Sequence, residues 1–305
     1  MSASPKSAAR AVSRATRPQR RPRLNPMMAC DTAFRVIARR CLEDLTENHA
    51  ATCQGDPTAL HQMRLALTAL RTAISFFSPM LVDPRHVVVK RELKWLNTHL
   101  GAVRDLDVAI ERLNDQKTAI ASDALLSILE TEARDSHRRL ARTLLSARYR
   151  RLVEGTTGWA ENGAWSMAKA KQAAQQRASP ISAYGARKLA RWLRKLLKKS
   201  RKLADMGIEK RHRLRLMNKK LCYSIEFLED LFPDKNSEQR VTLKYLRKAH
   251  KSLGQLNDDA RGQSLATALG VRTPSQFLRP KRQQRLLRTA VAAYRKLATL
   301  KPRFT

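Results

Sequence analysis

The feature that most restricts the fold of this chain is an internal repeat of a helical motif. The stretch HQMRLALTALRTAISFF, which begins at His61, returns as HRLRLMNKKLCYSIEFL, which begins at His212. Aligning the two histidines also aligns an arginine three positions later and keeps the apolar positions in register. A second pair of motifs follows in the same order, LNTHLGAVRDLDVA at 96–109 and AHKSLGQLNDDARG at 249–262. Two paired motifs in one order predict two related helical halves.

Apolar residues recur at helical spacing along most of the chain, and no convincing alternation of a β-strand is found, so the sequence predicts an all-α fold. The predicted helices span 31–49, 56–77, 84–100, 103–115, 119–147, 185–204, 210–231, 238–253 and 281–299. Capping residues followed by proline are typical of helix starts, because the cap accepts from free amides and proline has no amide to leave unpaired. Four such pairs occur, at Asp56-Pro57, Asp83-Pro84, Ser179-Pro180 and Thr273-Pro274.

A polar stretch between the two halves, SMAKAKQAAQQRASP at 166–180, is the best candidate for a linker. The predicted division is a disordered basic arm at 1–25, an N-terminal helical half at 26–165, a linker at 166–183 and a C-terminal helical half at 184–305. The arm contains lysine and arginine but no acid, and a transit peptide is the alternative interpretation of it.

The charge of the chain predicts an acidic partner. Its 305 residues include 61 Lys and Arg against 26 Asp and Glu, for a net charge of +35, and 43% of them are hydrophobic, as expected of a folded protein. The candidate partners are nucleic acid, an anionic membrane surface and another phosphate polymer. No apolar run reaches the ~20 residues of a membrane span, so no transmembrane segment is predicted. The four cysteines have no metal-binding spacing and predict reduced thiols in a cytoplasmic protein.

The repeated helix has a cationic stripe without acids beside its apolar face. The stripe consists of His61, Arg64 and Arg71 in the first half and of His212, Arg215, Lys219 and Lys220 in the second. Cations at helical spacing repel one another, and a face that is merely solvated would include glutamates. The pattern therefore predicts that a ligand supplies the neutralising charge. Surface cations of a generally basic protein are the alternative.

The downstream motifs add to the predicted site. Lys94 and Arg104 bring further positive charge to the first half. The Leu-Gly pair in each motif allows either a helix break or a close approach of two helices. Asp105 and Asp258 follow it at matching positions, and each is expected either to cap the next helix or to orient a nearby cation.

Taken together and in order, the motifs HQMRLALTALR, LKWLNTHLGAVRDLDV, HRLRLMNKKLCY and LGQLND resemble the CHAD family, the conserved-histidine α-helical domain, over about residues 28–300. The resemblance implies two pseudo-symmetric four-helix bundles that enclose a basic central groove or pore. It also implies binding of inorganic polyphosphate and, in the cytoplasm of bacteria, association with polyphosphate granules. The polyphosphate-binding residues implied by position are His61, Arg64, Arg71, Lys94, Arg104, His212, Arg215, Lys219 and Lys220.

The chain departs from the family pattern at a few positions. Members commonly have basic residues where Thr68 and Ala69 stand, and an arginine in place of Cys222. These departures predict a site that is weaker in its middle, or one that the basic helix at 187–202 compensates.

Other functions stay open at this point. A generic polyanion or nucleic-acid-binding protein would also be basic, although single-strand binding usually relies on aromatic stacking and only 5% of the residues are aromatic. An accessory module of a phosphate-metabolising enzyme is a further alternative, as is a membrane-surface role for the helix at 187–202. No catalytic motif, metal site or cofactor is predicted. The nearest string to the E-x-E-x-K strand of a triphosphatase is ETEAR at 130–134, which ends in arginine and lies in a helical pattern. The sequence does not set the oligomeric state.

Overall fold

The computed structural model describes residues 23–114, 121–232, 237–268, 279–300 and 304, and the regular structure in these ranges is helical, which confirms the all-α prediction. The α-helices are α1 (Cys30–Glu47), α2 (His49–Cys53), α3 (Pro57–Phe77), α4 (Arg85–Asn114), α5 (Ala121–Leu144), α6 (Ala147–Asn162), α7 (Lys171–Ala178), α8 (Ile181–Ser200), α9 (Ile208–Phe227), α10 (Glu238–Ala268) and α11 (Pro280–Leu300). None of the helices in the described ranges is both long and apolar enough to cross a bilayer.

The aspartate-proline signals mark helix starts as predicted. The Asp56 carboxylate accepts from the backbone amides of Thr58 at 2.7 Å and Ala59 at 3.3 Å, so α3 begins at the following proline. The Asp83 carboxylate accepts from the Arg85 amide at 2.7 Å, at the first residue of α4. The apolar face predicted for α3 is buried along its whole length; its members are Leu60, Met63, Leu67, Leu70, Ile74 and Phe77.

The helix breaks that the Leu-Gly pairs allowed do not occur. α4 continues through Gly101 and α10 through Gly254, so the prediction of separate helices at 84–100 and 103–115, and of a helix ending at 253, is wrong. A glycine inside a helix costs only about 1 kcal/mol relative to alanine. The leucines before the two glycines, Leu100 and Leu253, are at most 2% exposed, and their burial outweighs that cost.

The helix α6 was not predicted from the sequence. Its residues, ARYRRLVEGTTGWAEN, include two glycines and two threonines, which lower the intrinsic helix propensity. Tertiary contacts overcome this, since the fully buried Trp159 donates its indole N–H to the Asp83 carboxylate at 3.1 Å. A cap at the helix start also helps, because the Ser146 hydroxyl accepts from the Tyr149 amide.

The predicted linker is largely structured. It contains α7, and its end is tied to the start of α1 by backbone hydrogen bonds from Cys30 to Ser179 at 3.1 Å and from Ile181 to Met28 at 2.8 Å. The predicted cap at Ser179 is wrong, because its hydroxyl donates to the Gln175 carbonyl instead. The other predicted start, at 273–274, and residues 1–22 of the predicted arm lie outside the described residues. The division into domains stays a prediction.

One hydrophobic core runs through both halves of the chain. In the first half α3 packs on α1 and α4, and α6 packs on both α1 and α4. In the second half α9 packs on α8 and α10, and α11 packs on the same two helices. The halves meet where α3 contacts α9 and α4 contacts α10, which brings the two copies of the repeated motif together. The pseudo-twofold relation and the count of four helices in each bundle stay predictions.

Candidate functional site

A cavity of about 1620 Å³ lies between the halves, where α3 and α9 meet, and α4, α5 and α10 complete its walls. Among the described residues that line it are nine lysines or arginines and four histidines, against three acids. No phenylalanine, tyrosine or tryptophan is among these lining residues. The cavity is therefore strongly basic and offers hydrogen-bond donors rather than aromatic faces.

The structure brings together all but one of the predicted site residues. The cavity is lined by His61, Arg64, Arg71, Arg104, His212, Arg215, Lys219 and Lys220. Lys94 does not line it, although it lies exposed on α4. Lys90, one helical turn earlier on the same helix, occupies the wall instead. Lys94 thus lies outside the cavity wall, and its part in ligand binding stays a prediction.

Two hydrogen bonds join the repeated helices across the cavity. The Lys219 ammonium lies 3.3 Å from the Thr68 hydroxyl, and the Lys220 ammonium lies 3.4 Å from the Ser75 hydroxyl. Thr68 therefore holds a lysine of the other half of the chain. Cys222 does not line the cavity and is buried in the core.

Three acids at or near the cavity form salt bridges with neighbouring arginines, whereas Asp258, which also lines it, favours the charge of Arg215. Asp105 pairs with Arg261, Glu132 with Arg139, and Glu111 with Arg104. Asp105 lies inside α4 and Asp258 inside α10, so the alternative that they cap helices is wrong. Asp105 instead joins α4 to α10 through its arginine partner, which fits the other alternative, orientation of a cation.

Six cations of the cavity wall form no salt bridge with any described residue, and we refer to them as the unpaired cations. They are Arg64, Arg71, Lys90, Arg215, Lys219 and Lys220. Lys90 and Lys220 are exposed at the wall, whereas the other four are half-buried. Burial of a cation without a counter-charge costs free energy, and the Nε of Arg215 is buried without a hydrogen-bond partner.

The cost of burial lowers the pKa of several of the unpaired cations. Burial is the main cause that lowers the pKa of Arg64 and of Arg215 below the usual arginine value. The pKa of Lys219 falls to about 7, first because the ammonium is buried and then because Arg215, Arg64 and Arg71 repel it. An anion in the cavity would favour the charged forms of all three residues, since it would add negative charge beside them.

The two repeated histidines have different surroundings. Burial lowers the pKa of His61, and the charges of Arg104 and Arg64 lower it further, so its neutral form is favoured. The Nδ1 of His212 donates to the Asn257 side-chain carbonyl at 2.6 Å. With that proton in place, its Nε2 accepts a hydrogen bond when the ring is neutral and donates one when it is protonated.

Sequence reasoning missed several lining residues, namely His86, Lys90, His99, Arg139 and Arg261. For two of them a signal existed: Arg261 lies one turn after Asp258 in the aligned motif, and Lys90 one turn before the predicted Lys94. Arg139 had none, because α5 lies outside both repeated motifs.

The helices and the cavity define the class of this molecule as an all-α protein with a basic cavity between two helical halves. Residues 36–267 match the CHAD domain, so the chain belongs to the CHAD family and the resemblance in its motifs is confirmed. Among solved structures, it is similar to the crystal structure of the CHAD domain from the plant Ricinus communis. The two are 25% identical over 90% of this chain and 89% of that chain, with a TM-score of 0.72. No curated protein matches the chain significantly.

Proposed function

We propose that this protein binds inorganic polyphosphate in the central cavity and does so without chemical transformation of the polymer. The observation that carries the proposal is the group of six unpaired cations around one cavity of about 1620 Å³. A basic central groove that binds polyphosphate is also what the family resemblance implies. The two halves, each built around one copy of the repeated helix, are proposed to form pseudo-symmetric four-helix bundles on either side of the cavity.

The types of donor in the wall suit phosphate. Arginine presents a planar pair of donors to two phosphate oxygens, and lysine presents a compact charge. Arg64 and Arg215 occupy matching positions of the repeat on the two sides of the cavity, and the charges of both repel the ammonium of Lys219. A linear polyanion can therefore contact both halves at once.

Single-stranded nucleic acid is the principal competing ligand, and the cavity wall disfavours it. Stacking of bases on aromatic side chains contributes about 1–3 kcal/mol per base. The described residues of the wall contain no aromatic side chain other than histidine. Trp159 and Trp165 are fully buried in the core and Trp95 and Trp192 pack partly buried against it, and none of the four lines the cavity. Non-specific nucleic-acid binding through surface charge stays a second, weaker expectation.

The proposed role is that of a cytoplasmic binding protein on polyphosphate granules. An accessory module of a phosphate-metabolising enzyme would use the same cavity and differs only in its partner. Incubation of the protein with polyphosphate and Mg²⁺ separates binding from catalysis. We expect no release of phosphate, and measurable release by the pure protein would contradict the non-catalytic proposal.

The direct test is a titration of the whole chain with long-chain polyphosphate and with single-stranded DNA, matched in total phosphate. At physiological salt we expect polyphosphate to bind at least about tenfold more tightly, because DNA gains no stacking in this cavity. Both affinities fall with salt as counterions are released, but the preference is expected to survive. Equal affinities that disappear together at higher salt would contradict a shaped site and indicate a generic polyanion binder.

Lys90 and Lys94 form a matched pair for a finer test, since both are exposed lysines on α4 and only Lys90 lines the cavity. Replacing Lys90 by glutamine is expected to weaken polyphosphate binding about three- to fivefold, because an ion pair of an exposed lysine contributes up to about 1 kcal/mol. Lys94→Gln, with the same change in net charge, is expected to stay within about twofold of the wild type. Calorimetric or fluorescence titration measures both. The reverse order of effects would place the polymer outside the cavity.

A further inference from the structure

A second basic surface lies outside the cavity, on α8. The chain contains no acid between Glu161 and Asp205, and α8 occupies the centre of that stretch. Its apolar side is buried in the core through Leu189, Leu193 and Leu196. This packing leaves the charged side of the helix towards solvent.

The outer side of α8 is almost wholly cationic. Its exposed or half-buried cations include Arg187, Lys188, Arg191, Arg194, Lys195 and Lys198. They follow spacings of three and four residues and therefore form a continuous stripe along a helix about 30 Å long. None of the six forms a salt bridge with a described residue. We refer to these six residues as the α8 stripe.

The α8 stripe adjoins one end of the cavity. Ser75 and Ser78, in the last turn of α3 and just after it, line the cavity. The next residue, Pro79, lines a shallow hollow together with Arg187, Lys188 and Arg191 of the stripe. The two basic surfaces thus meet at the end of α3, where Lys220 bonds to Ser75 from the other side.

We propose that the α8 stripe is a second binding surface for the same phosphate polymer, which leaves the cavity at Ser78 and continues along α8. The inference rests on the proposed function. Charge complementarity supports it, because an exposed row of unpaired cations suits a line of phosphates. Continuity with the cavity supports it as well, since a polymer bound at both surfaces pays the entropy of association once. The protein then binds long chains more tightly than short ones, because only a long chain contacts both surfaces.

The test uses the whole chain and two ligands, tripolyphosphate, which is short enough for the cavity alone, and long-chain polyphosphate. The stripe variant is Lys188→Gln/Arg191→Gln/Lys195→Gln. The matched control is Arg142→Gln/Arg150→Gln/Arg151→Gln, which removes three exposed cations of α5 and α6 that line neither surface. We expect the stripe variant to lose about tenfold or more in affinity for long-chain polyphosphate and to keep its affinity for tripolyphosphate. The control is expected to keep both.

The salt dependence gives an independent reading. Removal of three cations that neutralise phosphates of a flexible polyanion lowers the slope of log affinity against log salt by about 2, by analogy with single-stranded nucleic acid. We expect that change for long-chain polyphosphate in the stripe variant alone.

The outcomes separate the two proposals. Unchanged binding of long-chain polyphosphate by the stripe variant would overturn the stripe while the cavity stands. An equal loss of affinity for long-chain polyphosphate in the matched control would also overturn the stripe as a binding surface, because the loss would then follow from net charge alone. If the stripe variant loses binding of single-stranded DNA but keeps binding of polyphosphate, the stripe binds nucleic acid, and this proposal is overturned as well. Failure of the wild type to bind tripolyphosphate and long chains alike would instead overturn the proposed function.

Discussion

Replacing Arg64 and Arg215 by glutamine is expected to weaken polyphosphate binding by at least about a hundredfold. A hydrogen bond to a charged group contributes about 1.5–3 kcal/mol, and both arginines lie in the cavity wall without a carboxylate partner. Two such hydrogen bonds correspond to a factor of about a hundred or more, since each 1.4 kcal/mol is about tenfold. Calorimetric titration of the double variant against the wild type measures the change in affinity.

The same substitutions have a second expected result, which distinguishes a binding role from a structural one. Burial disfavours the two guanidinium charges in the free protein, and attraction to Asp105 and Asp258 offsets this only in part, since the pKa of both arginines stays below the usual value. Their removal is therefore expected to leave the thermal unfolding midpoint unchanged or to raise it. Arg142→Gln/Arg150→Gln is the control with the same charge change on an exposed surface. A double variant that unfolds at a much lower temperature would show that the arginines hold the halves together, and one that keeps its affinity would exclude them from the site.

The part of this site that could be predicted from the sequence is the part carried by helical periodicity. On α3, six apolar positions fix which side is buried, and the side of His61, Arg64 and Arg71 follows from them. The repeat then transfers the same reasoning to α9. The buried side and the cationic side of each helix both follow from the spacing of apolar residues along that one helix, and the local sequence is enough to show this spacing.

The part that could not be predicted depends on long-range packing. Which residues of α4 reach the cavity depends on how α4 packs against α3 and α5, and Lys90, not Lys94, lines the wall. Arg139 reaches the wall from α5, which shares no motif with the repeat. α6 forms against its own propensity because Trp159 is buried and bonded to Asp83. In each case the deciding interaction joins residues far apart in the chain.

Affinity for polyphosphate is expected to fall as the pH rises above about 7, by up to about tenfold per pH unit. The group responsible is Lys219, whose pKa of about 7 lies far below the usual lysine value. Below that pH the ammonium is charged and binds phosphate. Above it the free protein has a neutral amine, and the polyanion restores the charge only by uptake of a proton from solution, so the affinity decreases with pH.

The groups that face Lys219 are consistent with this assignment. Arg64 and Arg71 approach from α3 and Arg215 from its own helix, and all of them disfavour its charge. His250, on α10, does not compete in the same pH range, because burial and the charges of Arg215 and Lys219 hold its pKa at about 3. His61 has a lowered pKa and loses its proton below the range in which Lys219 titrates.

Replacing Lys219 by arginine tests the sign and the origin of this pH dependence. Arginine keeps its charge throughout the range, so the affinity of the variant is expected to be nearly constant between about pH 7 and about pH 9. Titrations at several pH values, repeated in buffers of different ionisation enthalpy, measure the affinity and the number of protons taken up. The ligand is tripolyphosphate, which does not reach Lys188 of the α8 stripe, where burial lowers the pKa to about 8. We expect close to one proton for the wild type near about pH 8 and none for Lys219→Arg. A wild-type affinity that does not change over this range, or an unchanged slope in the variant, would show that Lys219 already has its charge in the free cavity.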